Sequence, residues 1–479
     1  MRGRFEPTAV GWRIGTSKVP VGVALWQPWD RTAGVIGPQG SGKTLDILTP
    51  ALLQAPGAAL VTLTKPDDLL LTLATRQARG PVAVLDPFGA APGLPELIWD
   101  PIDGCVDATV AEKRAKAFCA GTLGSGGDGA DSAARFYAAE AAKVIQCYLH
   151  AAALAGYTLN DVLEWSANPR TATLPSEILR SHPMAEPNWS GLLTGAVSNT
   201  DERTAGNTKS TVDQALALFA TRARRERCVP SDGRPAVDIA DLIRRNGTIY
   251  LLGREDPYVS ASPLMTAVAE HVLDTALQLA NESGFGRLCP PMLACLDELP
   301  STAPLPTLAT RMANERALGI SFIWASQTWA QLTRIFGEQQ ARAIKDLTNS
   351  LIIFGGSKDA GFNREISDLL GTRRITRRNH QHGGHGSIST HGEDTPVIRP
   401  EQLRELPART ALVVAENGKP ILATLHRAID GKPGKHLLDQ QRQARRLLTT
   451  SEGAAPHPMT AGEKTALAHS YSRQLGLTD

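Results

Sequence analysis

Short apolar runs alternate with amphipathic stretches along most of the chain. The apolar runs are Ala33–Gly37, Ala58–Leu63, Val82–Asp86, Thr248–Gly253, Met292–Asp297, Ile320–Ala325, Leu351–Gly355 and Ala411–Ala415. They are nearly continuous, as expected of strands covered on both faces. Between them, Lys43–Gln54, Pro66–Gln77, Ser262–Leu279, Pro304–Glu315, Trp329–Leu347 and Asp359–Leu370 show helical spacing. The alternation predicts an α/β fold, a mostly parallel sheet with helices on both faces.

One region breaks the pattern. From about Asp107 to Arg227 no strand is evident, and Val110–Ala120, Ser132–Leu154, Asn160–Trp165 and Asp201–Arg222 all have helical periodicity. A glycine-rich break, Gly121–Asp131, separates the first two. An all-helical subdomain is therefore expected inside the α/β domain. The expected organisation is 1–104 and 229–430 as the two parts of a nucleotide-binding domain, 105–228 as the insertion, and 431–479 as a loosely attached polar helical tail.

Composition narrows the function classes. The 479 residues include 50 basic and 48 acidic side chains, a formal net charge of +2, so nucleic-acid contact requires a local patch or a lined channel. With 42% hydrophobic residues the chain is not disordered. Its six cysteines form no C-x-x-C pair, which argues against a disulfide framework or a cysteine zinc site. The longest uncharged run, Ile47–Thr64, is broken by Pro50, Pro56 and Gly57. It is no membrane helix, and the chain reads as soluble.

Gly37, Pro38, Gln39, Gly40, Ser41, Gly42, Lys43 and Thr44 fill the pattern G-x-x-x-x-G-K-[ST] between an apolar strand and a helix. Glycines let backbone N–H groups wrap a phosphate, Lys43 neutralises the β- and γ-phosphates, and the Thr44 hydroxyl is suited to magnesium. These residues predict a site for ATP with Mg2+.

Met292–Glu298 is an apolar strand ending in two carboxylates. Asp297 is placed to hold magnesium and its water shell, and Glu298 to polarise an attacking water. The Asp-Glu pair favours hydrolysis over transfer to a small hydroxyl substrate. The next strand ends in Gln327, a candidate reporter of the γ-phosphate. Arg316, before that strand, is a candidate arginine finger for a neighbouring subunit.

The spacing of these motifs resembles the type IV secretion coupling proteins of the TraG/TraD kind. Roughly 250 residues separate Lys43 from Asp297, with a helical insertion between. Asp-Glu-Leu is then followed by R-x-x-G and a strand ending in Gln. Val84–Phe88, Trp99–Ile102, Arg135–Tyr137, Pro400–Leu403 and Leu406–Pro407 also resemble family segments, and the likeness spans roughly residues 20–425. It implies a RecA-like P-loop motor that hydrolyses ATP and assembles as a homo-hexamer when active, while the isolated chain could be a monomer. The implied place is the cytoplasmic face of the bacterial inner membrane. The implied partners are DNA, relaxase or relaxosome proteins, and components of a type IV secretion channel. Carried over by motif, Gly37–Thr44 bind phosphates, Thr44 and Asp297 serve magnesium, Glu298 is the catalytic acid/base, Arg316 the finger and Gln327 the sensor. The family's N-terminal membrane segments are not present in this sequence.

Other readings are a duplex-DNA pump of the FtsK kind, a secretion ATPase acting only on proteins, and a nucleotide switch without turnover. A switch needs neither Glu298 nor Arg316. His380, His382, His385 and His391 lie next to Arg373, Arg374, Arg377 and Arg378. Without a cysteine or a firm carboxylate they suggest a solvated or DNA-facing loop more than a metal site. Arg222, Arg224, Arg225 and Arg227 are expected at a helix C-terminus, where the dipole favours cations.

Overall fold

The computed structural model describes residues 6–124, 132–198, 201–231, 233–253, 258–380 and 388–452. Its strands are β1 (Gly11–Ser17), β2 (Ala24–Pro28), β3 (Ala33–Ile36), β4 (Ala59–Leu63), β5 (Val82–Leu85), β6 (Thr248–Leu252) and β7 (Met292–Leu296). They continue with β8 (Ile320–Ser326), β9 (Ser350–Phe354), β10 (Thr372–His380), β11 (Ile388–Pro396), β12 (Thr410–Ala415) and β13 (Ile421–Leu425). All eight strands expected from the apolar runs form. Eleven strands make one sheet in the order β2-β1-β13-β12-β9-β3-β8-β7-β4-β6-β5. From β9 to β5 the pairing is parallel. From β9 through β12, β13 and β1 to β2 it is antiparallel.

Strand alternation divides the core cleanly. Ile36, Leu60, Leu251, Leu296, Phe322 and Ile353 join one buried cluster, while their neighbours Val35, Val61, Leu252, Cys295, Ile323 and Ile352 join another. Each cluster is one face of the sheet, as a period of two requires. The helices between 108 and 228 cover the first face, their Phe118, Tyr148, Trp165 and Phe219 belonging to the same cluster as the strands. Their ends carry polar caps. Asp107 accepts from Thr109 N, Asp201 accepts from Arg203 N, and Thr158 with Asp161 forms a capping box.

Several elements depart from the sequence expectation. β1, β2 and β13 were not anticipated. Gly11 and Gly15 dilute the apolar signal of β1 because neighbouring backbone passes too close for a side chain: a Cβ would stand 2.5 Å from the Gln27 carbonyl oxygen and 2.4 Å from that of Thr424. The expected helix 329–347 is two, broken at Gly337, whose φ of 80° and ψ of 156° no helix accommodates. The helix expected from Pro304 begins at Leu308. Helices at Leu174–Ser181 and Trp189–Val197 also form.

Of the segment 380–391, expected as a loop, His380 and Ile388–His391 belong to a two-stranded antiparallel ribbon, β10–β11; residues 381–387, with His382 and His385, lie outside the described residues. Arg222–Cys228 is a separate short helix following a turn at Thr221, so its arginines do not close the preceding long helix. Arg225 alone reaches back, donating to the Phe219 carbonyl at 2.6 Å. Of the tail expected over 431–479, residues 453–479 lie outside the described residues, and the described part, the helix Gly431–Glu452, is docked. It packs along Pro66–Gln77 with Leu448 buried, and Gln441 Nε2 donates to the Asp67 carbonyl at 2.7 Å.

Arg76 ties the second face together. It is fully buried, donating to Thr248 Oγ1 at 2.7 Å and to the carbonyls of Ala55 and Gly57 at 2.8 and 2.6 Å. Burial lowers its pKa to about 10. Arg76→Ala leaves a cavity and buried acceptors without donors, and should destabilise the protein by about 3–5 kcal/mol in urea denaturation. An unchanged midpoint would contradict this assignment.

Candidate nucleotide site

The chain order sets the site. β3, carrying the phosphate loop at its C-terminal end, is flanked by β8 and β9, and β7 lies beyond β8. Consecutive segments leave β3 in opposite directions, and such a switch opens a crevice at the strand tips. The loop, Asp297, Glu298 and Gln327 all lie at these tips.

The loop takes the shape its glycines permit. Gly40 and Gly42 have φ of 77° and 107°, and a Cβ at Gly40 would meet nothing within 4 Å. Gly37 N donates to the Ser326 carbonyl at 3.2 Å, tying the loop to the β8 tip next to Gln327. Lys43 is buried, its Nζ donating to the carbonyl oxygens of Gly37 and Pro38 at 2.7 and 3.3 Å. Ser41 Oγ is buried without a hydrogen-bond partner among the described residues.

Across the crevice, Thr44 Oγ1 donates to Asp297 Oδ2 at 2.7 Å. Thr62 Oγ1 supports the same strand end by donating to the Asp297 carbonyl at 2.9 Å. Burial raises the Asp297 pKa, against the opposing effects of the Thr44 hydrogen bond and Lys43. Glu298 has φ 48° and ψ 44°, left-handed for a residue with a side chain. Such strain gathers at functional sites. Here it turns the Glu298 carboxylate toward Lys43, with Nζ–Oε1 at 3.7 Å.

The structure thus brings Gly37–Thr44, Asp297, Glu298 and Gln327 to one crevice. It does not bring Arg316 there. That residue precedes β8 at the opposite end, where Nη1 donates to Asn349 Oδ1 at 3.0 Å. Within its own chain Arg316 cannot face the loop. The oxygens of Thr44 and Asp297 are hard donors of the kind magnesium prefers, and the glycine cradle has room for phosphate.

Sequence reasoning missed Lys65 and Asp68. They follow β4, which pairs directly with β7; Lys65 favours the charged form of Asp297, and the Asp297 charge in turn raises the Asp68 pKa. The available signal was a charged Lys-Pro-Asp-Asp cluster at the C-terminal end of an apolar strand. Only the strand order makes it a neighbour of Asp297.

Residues 291–408 match the family described as the TraM recognition site of TraD and TraG. Among solved structures, the unbound conjugative coupling protein TrwBdeltaN70 aligns with a TM-score of 0.60 at 17% identity, over 86% of this chain and 88% of that one. TrwB with the ATP analogue ADPNP aligns with a TM-score of 0.60 at 19% identity, over 83% and 86%. TrwB with ADP and Mg2+ gives 0.58 at 18%, over 86% and 89%. No curated protein sequence matches significantly. The likeness establishes the RecA-like P-loop fold.

Burial first, then the Asp297 carboxylate, push the Asp68 pKa from 3.8 up to about 6, with Lys65 opposing. Across that window the folded state keeps a proton that the unfolded chain has released, so the group's contribution to stability falls as pH rises. Asp68→Asn removes this penalty. It should stabilise the nucleotide-free protein by about 1–3 kcal/mol near pH 7.5 and by clearly less near pH 4.5, measured by urea titration. An equal gain at both pH values would contradict the electrostatic origin.

Proposed function

We propose that the chain is an ATP-driven translocase that passes a relaxase–DNA substrate to a type IV secretion channel in bacterial conjugation. The observation that carries this reading is the Thr44–Asp297 contact of 2.7 Å, with Glu298 beside Lys43, inside a TrwB-like fold. In this reading Gly37–Thr44 bind the phosphates of ATP. Magnesium would be held by Thr44 and Asp297, and when bound supplies positive charge against the phosphates. The description of TrwB in complex with ADPNP and with ADP and Mg2+ supports these ligands.

The chain's own groups would do the remaining work. Lys43 neutralises the leaving charge, and Glu298 takes a proton from the attacking water. Gln327 lies at the next strand tip and reports the γ-phosphate. Arg316, at the far end of β8, serves a neighbouring subunit's nucleotide in a homo-hexameric ring. The family match at 291–408 supports docking of relaxosome proteins on this part of the chain. No helix among the described residues is long and apolar enough to cross a membrane.

The test measures ATP turnover and native mass with and without single- and double-stranded DNA. Turnover should rise with DNA, and the stimulation should fall steeply with salt because phosphate contacts release counterions. Glu298→Gln should bind nucleotide yet hydrolyse at least about a hundredfold more slowly. Arg316→Ala should also bind nucleotide but lose turnover in the assembled state. Turnover indifferent to DNA in assembled protein would favour a secretion ATPase acting on protein alone.

A further inference from the structure

After β13 the chain crosses the helix that follows the phosphate loop. Ala428 N donates to the Leu45 carbonyl at 2.9 Å. Arg427 lays its guanidinium on Asp46, with Nε–Oδ1 at 2.8 Å and Nη2–Oδ2 at 3.5 Å. The Asp46 side chain is fully buried and that of Arg427 is 28% exposed. The pair lies flush on the loop: a Cβ at Gly42 would stand 2.4 Å from Asp46 Oδ2 and 3.1 Å from Arg427 Nη2. Asp46 N donates to the Gly42 carbonyl at 2.8 Å. The turn here is π-helical over Thr44–Leu48, a widening found frequently at functional sites.

This places a buried carboxylate beside a loop built to receive anions. Unpartnered, Asp46 would repel phosphate and compete for the loop's N–H groups. Its partner arrives from the far end of the chain. Asp430 N donates to the Arg427 carbonyl at 3.0 Å, and Arg409 holds Asp430 at 2.7 Å. The helix Gly431–Glu452 follows and docks on the helix that begins beside Asp68.

We propose that Arg427 is a positioning residue of the nucleotide site: it neutralises Asp46 and holds the Gly42–Thr44 turn in its phosphate-binding shape. The inference rests on the reading of Gly37–Thr44 as the nucleotide loop. It gives the C-terminal segment a direct hold on that loop in the same subunit.

The test compares wild type, Arg427→Ala, Arg427→Lys and the double variant Asp46→Asn/Arg427→Ala in the full chain. A fluorescent ADP analogue with magnesium reports affinity, and hydrogen exchange over residues 40–48 reports loop order without nucleotide. Arg427→Ala should weaken binding about ten- to hundredfold, as misplaced site groups do, and speed exchange in the loop. Arg427→Lys should keep most of the affinity, and the double variant should recover most of it. A lower unfolding midpoint with unchanged affinity and exchange would overturn the proposal, because the pair would then be structural only. So would a loss that Asp46→Asn fails to repair. Failure of the underlying nucleotide reading looks different: wild type would bind no analogue, while the exchange comparison would still decide whether Arg427 orders the loop.

Discussion

Thr44 and Asp297 stand far apart in sequence, yet one 2.7 Å hydrogen bond joins them. The parallel register produces this contact. Ile36 pairs with Ser326 across β3–β8, and Leu296 pairs with Trp324 across β7–β8, so β3 and β7 end on either side of one strand, with the β3 tip reaching further along it. A slip of one residue in either pairing would turn each strand's side chains to the wrong face. The two segregated apolar clusters therefore set the geometry of the crevice. Packing fixes the register, and the register fixes the distance between loop and acid.

The charges gathered there are unfavourable for the isolated fold. Lys43 and Asp297 are 5% and 6% exposed, and desolvation raises the Asp297 and Asp68 pKa values. Three carboxylates, of Asp68, Asp297 and Glu298, lie around two lysines, Lys43 and Lys65. Such an arrangement suits a cation and a polyanion arriving together, each meeting charges of opposite sign already fixed in place. The left-handed Glu298 and the π-helical turn after Thr44 belong to the same pattern of local cost at a site. Arg427 and Asp46 extend it outward, because a buried acid beside the loop needs a cation of its own.

The legible part of the structure was the part with strong local signals. Fully buried parallel strands read as unbroken apolar runs, and the glycine loop with its lysine is dense enough to identify alone. The antiparallel edge was not legible, since β1 contains the glycines that close approach of Gln27 and Thr424 requires. Trp329–Leu347 looked continuous because its apolar spacing survives the break at Gly337. Asp68, Asp46 and Arg427 were out of reach for a different reason. Their importance lies in contacts with distant segments, which no local pattern encodes. The docked tail helix shows the same limit: its polar composition hides the few positions, Leu437 and Leu448 among them, that become buried.

The proposed function requires that the crevice at the tips of β3 and β7 turn over nucleotide. Its most direct test is magnesium-dependent phosphate release from ATP by purified wild-type protein beside Lys43→Ala of equal folded fraction. Removing the buried ammonium that meets Gly37 and Glu298 should reduce release to background. The same rate in both proteins would contradict the account.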